Sequence, residues 1–543
     1  MNPKWRSPKS AFRRALSIGL AGCASALSSF AYSQTVWSGY AGNAQHTALS
    51  GIASQSLDQI IWQTPVDLNP QFSGNDLLIH YGSPLVTQSN TVLVSVKTGA
   101  ADGFRIEALN GRDGSLLWKF DSDYSLPSHN WTPSYSPTLT SNGRVYMAGA
   151  GGTVYYRDNV DSTSAVAPTQ IAFYGNAEYS AHKASYNGSI QISTPLTSDA
   201  NGNVYFGYKS SGANTLGVQS GIARIAADGT ATYISASTAT GGAAPNVLTN
   251  CAPALSNDGK TIYVAMSAGS GFASGYLVAL DSSTLSTTSK VLLKDPKSGG
   301  NAILPDDGTA SPMVAPDGKV FFGVLENPFN SSKGWMLQFT ADLSQQSTPG
   351  AFGWDDTASI VPASMVASYH GSSTYLLMTK YNNYASLGGD GVNRLAILDP
   401  NDVEIDPRTG QTVMKEVMSI AGITPDAEFL AAHPNAVREW CINTAVVDPF
   451  TDSILANSED GRLYRWDLST NAFTQRVVLT PGIGEAYTPT LIGQDGKVYA
   501  INNATLFAVG AFVTPEPGAI ALGLSAGCVF LYSLRRCRTR TRR

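Results

Sequence analysis

One unit recurs along this chain and restricts it to very few folds. Ser136-Pro137-Thr138-Leu139-Thr140-Ser141-Asn142-Gly143-Arg144-Val145-Tyr146-Met147 reads as a short strand, a tight polar turn and a second strand. The unit returns at Ser83-Pro84-Leu85-Val86, Thr194-Pro195-Leu196-Thr197, Ala252-Pro253-Ala254-Leu255, Ser311-Pro312-Met313-Val314, Val361-Pro362-Ala363-Ser364 and Thr488-Pro489-Thr490-Leu491. Asn443-Thr444-Ala445-Val446 fills the same slot without the proline. The proline suits the start of a strand, where no ladder N–H is required. Asn142-Gly143, Asn201-Gly202, Asp258-Gly259, Asp317-Gly318 and Asp495-Gly496 supply the left-handed backbone of tight turns. Val145-Tyr146, Val204-Tyr205, Ile262-Tyr263, Val320-Phe321 and Val498-Tyr499 supply the β-branched and aromatic residues of the strand that follows.

Successive prolines stand 53, 58, 58, 59 and 50 residues apart; the next slot comes 82 residues on and the last 45 after that. Each interval has room for two further strands, as in Arg105–Leu109 and Ser115–Lys119. Four strands repeated about eight times define an all-β, eight-bladed β-propeller, with seven blades as the alternative. The last repeat ends after Thr505–Val509, one strand short, while Ile60-Ile61-Trp62-Gln63-Thr64-Pro65-Val66 stands alone before the first. Joining the two closes the ring; a row of β-sandwiches would leave both unpaired.

Charge is concentrated at the ends. Of 35 basic residues, 11 lie in the first 33 positions or from Arg535 onward, and the segment 34–514 holds 24 basic against 39 acidic residues. That acidic body excludes nucleic acid as a partner held by bulk electrostatics, and it suits cations, neutral glycans or proteins. Only Cys251 and Cys441 of the five cysteines lie in the body, as a disulfide or as two thiols.

The ends read as addresses. Residues 1–33 have a basic start, an apolar run from Ala15 to Leu27 and a small-x-small site, Ala31-Tyr32-Ser33, for signal peptidase. Leu20-Ala21-Gly22-Cys23 is a rival lipoprotein site. At the other end Pro515-Glu516-Pro517 precedes an apolar stretch, 518–534, and then Arg535–Arg543. Seventeen apolar residues are near the minimum for a transmembrane helix, and the basic tail orients it. This order of motif, span and basic tail resembles the PEP-CTERM sorting signal. The resemblance implies an exosortase-type processing enzyme as partner. It also implies export through the membrane to the outer surface or extracellular matrix of a Gram-negative bacterium. The chain thus divides into a signal peptide (1–33), a propeller (34–512) and a sorting segment (513–543).

Ala108-Leu109-Asn110-Gly111-Arg112-Asp113-Gly114-Ser115-Leu116-Leu117-Trp118 resembles the repeat of PQQ-like, quinoprotein-type propellers, with weaker copies at Ala279-Leu280-Asp281, Ile397-Leu398-Asp399 and Arg465-Trp466-Asp467. The resemblance spans about Trp37 to Phe512 and implies the fold. The chain has no vicinal cysteine pair and no Cys-x-x-Cys-His, and one repeat alone keeps the tryptophan at full spacing. No cofactor is expected, PQQ with calcium included, and no metal-ligand spacing is present.

Long loops carry function more often than short turns. The long connections, among them 121–134, 174–191, 236–250 and 381–391, share one face, which places the working face opposite the Asn-Gly turns. Polar residues recur just ahead of the inner strands: His80, His129, Asn130, His182, Asn187, Asn250, Asp306, Asp307, Glu439 and Glu485. His80, His129, Glu439 and Glu485 are candidate acids and bases. His80, His129, Asn130, Trp131, His182, Asn250 and Trp440 are candidates for a ligand face. Thr424-Pro425-Asp426-Ala427-Glu428 carries helix-start signals, so a short helix is predicted there. The expected function is an exported binding or scaffold protein with glycan or matrix protein as ligand. The alternative is a propeller enzyme, either a polysaccharide lyase or hydrolase or a remote quinoprotein dehydrogenase, using channel histidines and carboxylates.

Overall fold

A computed structural model describes residues 36–73, 76–77, 81–100, 103–126, 135–306, 308–345, 348–481 and 486–512. The segment 1–33, Pro515-Glu516-Pro517 and the stretch 518–534 lie outside them. Among the described residues no helix is long and apolar enough to cross a membrane.

Each repeat is an antiparallel meander, and eight of them form the ring. Blade 1 spans 85–121, blade 2 138–172, blade 3 190–235 and blade 4 246–292. Blade 5 spans 313–339, blade 6 359–421, blade 7 446–478 and blade 8 491–510. Blade 5 has three regular strands; its outer edge continues as isolated bridges of Met336 with Gly350 and Phe339 with Gln345. The second strands are buried along their length, as in Thr91–Lys97, because both faces pack against neighbouring blades; the outer strands, such as Leu116–Asp121, alternate with solvent.

The ring closes as the strand count requires. Gln59–Pro65 lies antiparallel to Thr505–Gly510, with Gln59 opposite Gly510 and Pro65 opposite Thr505. Trp62 anchors this strand: its indole N–H donates to Gly111 O (3.1 Å) and its ring lies 5.6 Å from that of Tyr499.

The tight turns use one left-handed residue rather than two. Gly143 has φ +74° and Gly202 +82°, while Asn142 and Asn201 keep negative φ. Gly143 N donates to Thr140 O (3.0 Å), a type I turn followed by a glycine bulge. The residue before the proline has a role beyond strand initiation. Ser136 Oγ accepts from Ser83 N (3.1 Å) and Ser311 Oγ from Ala252 N (2.9 Å); in blade 6 Thr357, two residues before the inner strand and followed by Ala358 rather than proline, accepts at Oγ1 from Ser311 N (2.9 Å). These hydroxyls stitch one blade to the one before it around the channel.

The predicted helix after Thr424 is absent. Residues 427–432 form turns. Two i+4 bonds, Leu430 N to Asp426 O and His433 N to Phe429 O, are too few to sustain a helix. The segment is instead pinned as a hairpin-like loop by the Pro425–Val437 bridge and the Arg438–Asp426 ion pair (3.4 Å).

Candidate functional site

The segment 37–55 builds the centre of the molecule. It circles the ring on the tight-turn side and pairs with the free inner edge of blade after blade. Trp37 pairs with Val86 of blade 1, and Ser38 O accepts from Leu139 N of blade 2 (2.7 Å). Ala44 O, Gln45 O and Thr47 O accept from Leu255, Val314 and Ile360 of blades 4, 5 and 6 (2.7, 2.9 and 2.9 Å). Ala48 O accepts from Val447 N of blade 7 (2.9 Å), and Gln55 N donates to Gly496 O of blade 8 (2.7 Å). Inner strands of a propeller expose unpaired backbone groups toward the axis, and this strap satisfies them. Among the described residues the backbone bonds of the strap reach the other seven blades, and in blade 3 Ser198 Oγ donates to Leu139 O of blade 2 (2.9 Å).

Between Ser38 and Asn43 the strap dips into the axis. Tyr40 is buried, and its hydroxyl donates to Asn443 Oδ1 and meets Thr357 Oγ1 (3.1 Å). Asn443 Nδ2 in turn donates to Thr309 Oγ1 (2.7 Å). His46 sits edge-on to Tyr40, ring centroids 5.1 Å apart, and Nδ1 donates to Pro312 O (2.7 Å). Its Nε2 is buried with no partner, and burial pushes the ring's pKa down to about 4. Among the described residues, Tyr40, Tyr81, Asn250 and Tyr487 border a small void of about 10 Å³.

Among the described residues chemistry collects in two places. On the tight-turn face a cavity of about 630 Å³ opens between the strap and blades 1 to 4. Val36, Ala44, Leu139, Val160 and Leu255 give it apolar wall. Asn43, Gln45, Gln88, Asn201 and Asn257, with hydroxyls of Ser38, Thr87, Thr140 and Ser141, give it a polar rim. Its charged lining residues are Asp161, Asp199 and Asp258, with no Lys or Arg among them. The rim is rigid: Asp199 accepts from Asn201 N and Asn203 N (2.9 Å each), and Asp161 accepts from Thr87 Oγ1 (2.5 Å).

On the opposite face Glu439, Cys441 and Glu459 converge, with one ligand atom of each within 4.8 Å of the others. Glu439 and Cys441 lead into the inner strand of blade 7; Glu459 lies in the turn before its third strand, Arg462–Asp467. Cys441 Sγ donates to Glu459 Oε2 (2.9 Å), and Glu439 N to Glu459 Oε1 (3.0 Å). Burial, then the neighbouring Glu459, pushes Glu439 up to about 8, against the pull of Lys380; burial raises Glu459 as well. Lys380 is itself buried, its ammonium 5.5 Å from the Tyr487 ring centroid.

The sequence candidates distribute unevenly over these places. His80, His129, Asn130, Trp131 and Glu485 lie outside the described residues, as do the sorting residues Pro515, Glu516 and Pro517. Asn250 lines the axial void. His182 is exposed, 3.9 Å from Glu178. Asn187 accepts from Tyr179 OH (3.0 Å), and Asp306 pairs with Lys209 (3.0 Å). Trp440 is 1% exposed and packs against Tyr464 and Phe473, so it offers no ring to a ligand. Cys251 and Cys441 are not joined in a disulfide. Glu439 alone of the described acid–base candidates joins a cluster. Cys441 was legible only as a cysteine, and Glu459, in a short turn, carried no signal.

No family model matches the chain, and no curated protein matches it by sequence. By fold it is an eight-bladed β-propeller. The quinohemoprotein alcohol dehydrogenase from Comamonas testosteroni is similar with a TM-score of 0.52 at 13% identity, over 89% of this chain and 82% of that one. Saccharomyces cerevisiae Sqt1 is similar with a TM-score of 0.49 at 11% identity, over 85% of this chain and 100% of that one. BamB from Moraxella catarrhalis gives 0.40 at 9%, over 84% and 99%.

Proposed function

We propose that this chain is an exported, surface-associated propeller that binds neutral carbohydrate of an extracellular polymer in the tight-turn cavity. The observation that carries the reading is the cavity itself, about 630 Å³ with amide, hydroxyl and carboxylate groups on its rim and no cation. Apolar floors with a few fixed polar groups are the usual make-up of small-ligand sites. A rim of that polarity matches the many hydroxyls of a sugar, and its three aspartates repel uronates. The signal-like start and the PEP-CTERM-like end support the address, with exosortase processing near Pro515-Glu516-Pro517.

Calorimetric titration with neutral and uronate-rich oligosaccharides tests the site. Neutral sugar should bind, polyuronate should not, and Ser141→Trp or Asn201→Trp, placed on the rim, should abolish binding while the fold survives by circular dichroism. Equal binding of both polymers, or neutral binding untouched by both variants, would overturn the reading. Turnover of a polymer, seen as new reducing ends or unsaturated products, would replace it with the enzyme alternative. For the address, replacing Pro515, Glu516 and Pro517 with alanine should hold the protein in the membrane fraction; unchanged release would refute exosortase processing.

A further inference from the structure

We propose that Glu439, Cys441 and Glu459 form a binding site for one divalent transition-metal ion of the zinc class. The site is separate from the carbohydrate cavity and lies on the other face of the ring. Three potential ligand atoms from two loops converge within 4.8 Å, and the closest pair, Cys441 Sγ and Glu459 Oε2, is 2.9 Å apart. Ligands on a tetrahedral zinc ion lie about 3.3–3.8 Å from each other, given bond lengths of about 2.0–2.3 Å. The present spacing brackets that range, so side-chain rotation alone closes the set.

The chemistry of the trio favours a metal over a hydrogen-bond cluster. The Glu459 carboxylate is satisfied, accepting from Cys441 Sγ and Glu439 N. The Glu439 carboxylate, partly buried beside it, has no hydrogen-bond donor among the described residues. Two adjacent carboxylates and a thiol face Lys380 and Arg438, but Arg438 is paired with a third acid, Asp426 (3.4 Å), which leaves the site short of positive charge. A divalent ion supplies it and takes the place of the thiol proton, which is released to solvent. One thiolate with two carboxylates suits zinc, cobalt or cadmium rather than calcium or magnesium, which take oxygen alone. Three protein ligands leave a fourth position for water or a partner's donor. The donors are held by the fold: Asn382 Oδ1 accepts from Trp440 N (3.1 Å), fixing the loop segment that carries Glu439 and Cys441 on either side of it.

Cobalt(II) titration of the untagged full chain, under reducing conditions, is the test. The result expected is a thiolate-to-cobalt charge-transfer band that saturates at one equivalent, is displaced by zinc and ignores equimolar calcium. Cys441→Ser should remove the band. Glu439→Gln and Glu459→Gln should each weaken binding about tenfold or more, a loss of about 1.4 kcal/mol. Cys251→Ser, at a buried thiol remote from the trio, should change nothing. A folded parent with no band at tenfold excess of cobalt overturns the proposal, and so does a band that persists in Cys441→Ser. Because sugar binding is read separately in the cavity, either proposal can fail alone.

Discussion

Acid should loosen this ring through His46, and the amount follows from its surroundings. The side chain is fully buried under the strap, donates from Nδ1 to Pro312 O and leaves Nε2 unpartnered. Burial lowers its pKa from 6.5 to about 4. The folded protein therefore refuses a proton that the unfolded chain accepts between those values. Stability is unaffected above pH 6.5, falls as pH drops below it, and levels off below about 4. At about 1.4 kcal/mol per pH unit the ceiling is about 3 kcal/mol, of which about 2 kcal/mol is already lost at pH 5. Other groups titrate in the same range, so the measurement is a difference. His46→Gln keeps a donor near Pro312 O and cannot titrate. Urea unfolding of parent and variant, followed by tryptophan fluorescence at pH 7, 6 and 5, gives the gap between them at each pH. The variant should be the less stable at pH 7 through lost packing, and the gap should close by about 2 kcal/mol at pH 5. A gap that is the same at all three pH values would refute the assignment of a buried neutral imidazole.

Two further outcomes probe the strap and the closing strand. Tyr40→Phe keeps the ring in the axis but strips Asn443 Oδ1 of a buried donor, and should cost about 1–3 kcal/mol in the same unfolding assay. Gly114→Ala places a methyl 2.8 Å from the Trp62 indole at a residue with φ +74°, and should cost about 1–3 kcal/mol with a shift in tryptophan emission as Trp62 is pushed from its seat.

The blades were legible because every signal in them is local. Proline before the inner strand, Asn-Gly or Asp-Gly turns and alternating strands all fall within a dozen residues, and the unpaired strand Ile60–Val66 followed from counting. The strap was not legible, since 37–55 has no period and its partners lie far along the chain: Tyr40 meets Asn443, 403 residues on. What was available was a missing term: the inner edges needed partners, and the only chain left to give them preceded Ile60. The helix read after Thr424 failed for the opposite reason. Its capping residues were present, but the segment is too short, and Asp426 serves as the ion-pair partner of Arg438. Cys441 and Glu459 come together because a loop entering blade 7 folds over a turn within it, a contact that no spacing rule encodes.

The strap also explains why the cavity lies on the face that the short turns made look plain. A closing segment that bonded all the inner strands would leave that face flat. Among the described residues the backbone bonds of this one reach seven blades, and the cavity lies between it and blades 1 to 4. Its walls therefore belong to the strap and to separate blades at once. Any ligand seated there bridges elements that unfolding must part, so occupancy adds to ring stability by about 2.7 kcal/mol at a hundredfold excess over Kd. A ligand therefore contributes most to the stability of such a ring when it sits across the strap that closes it.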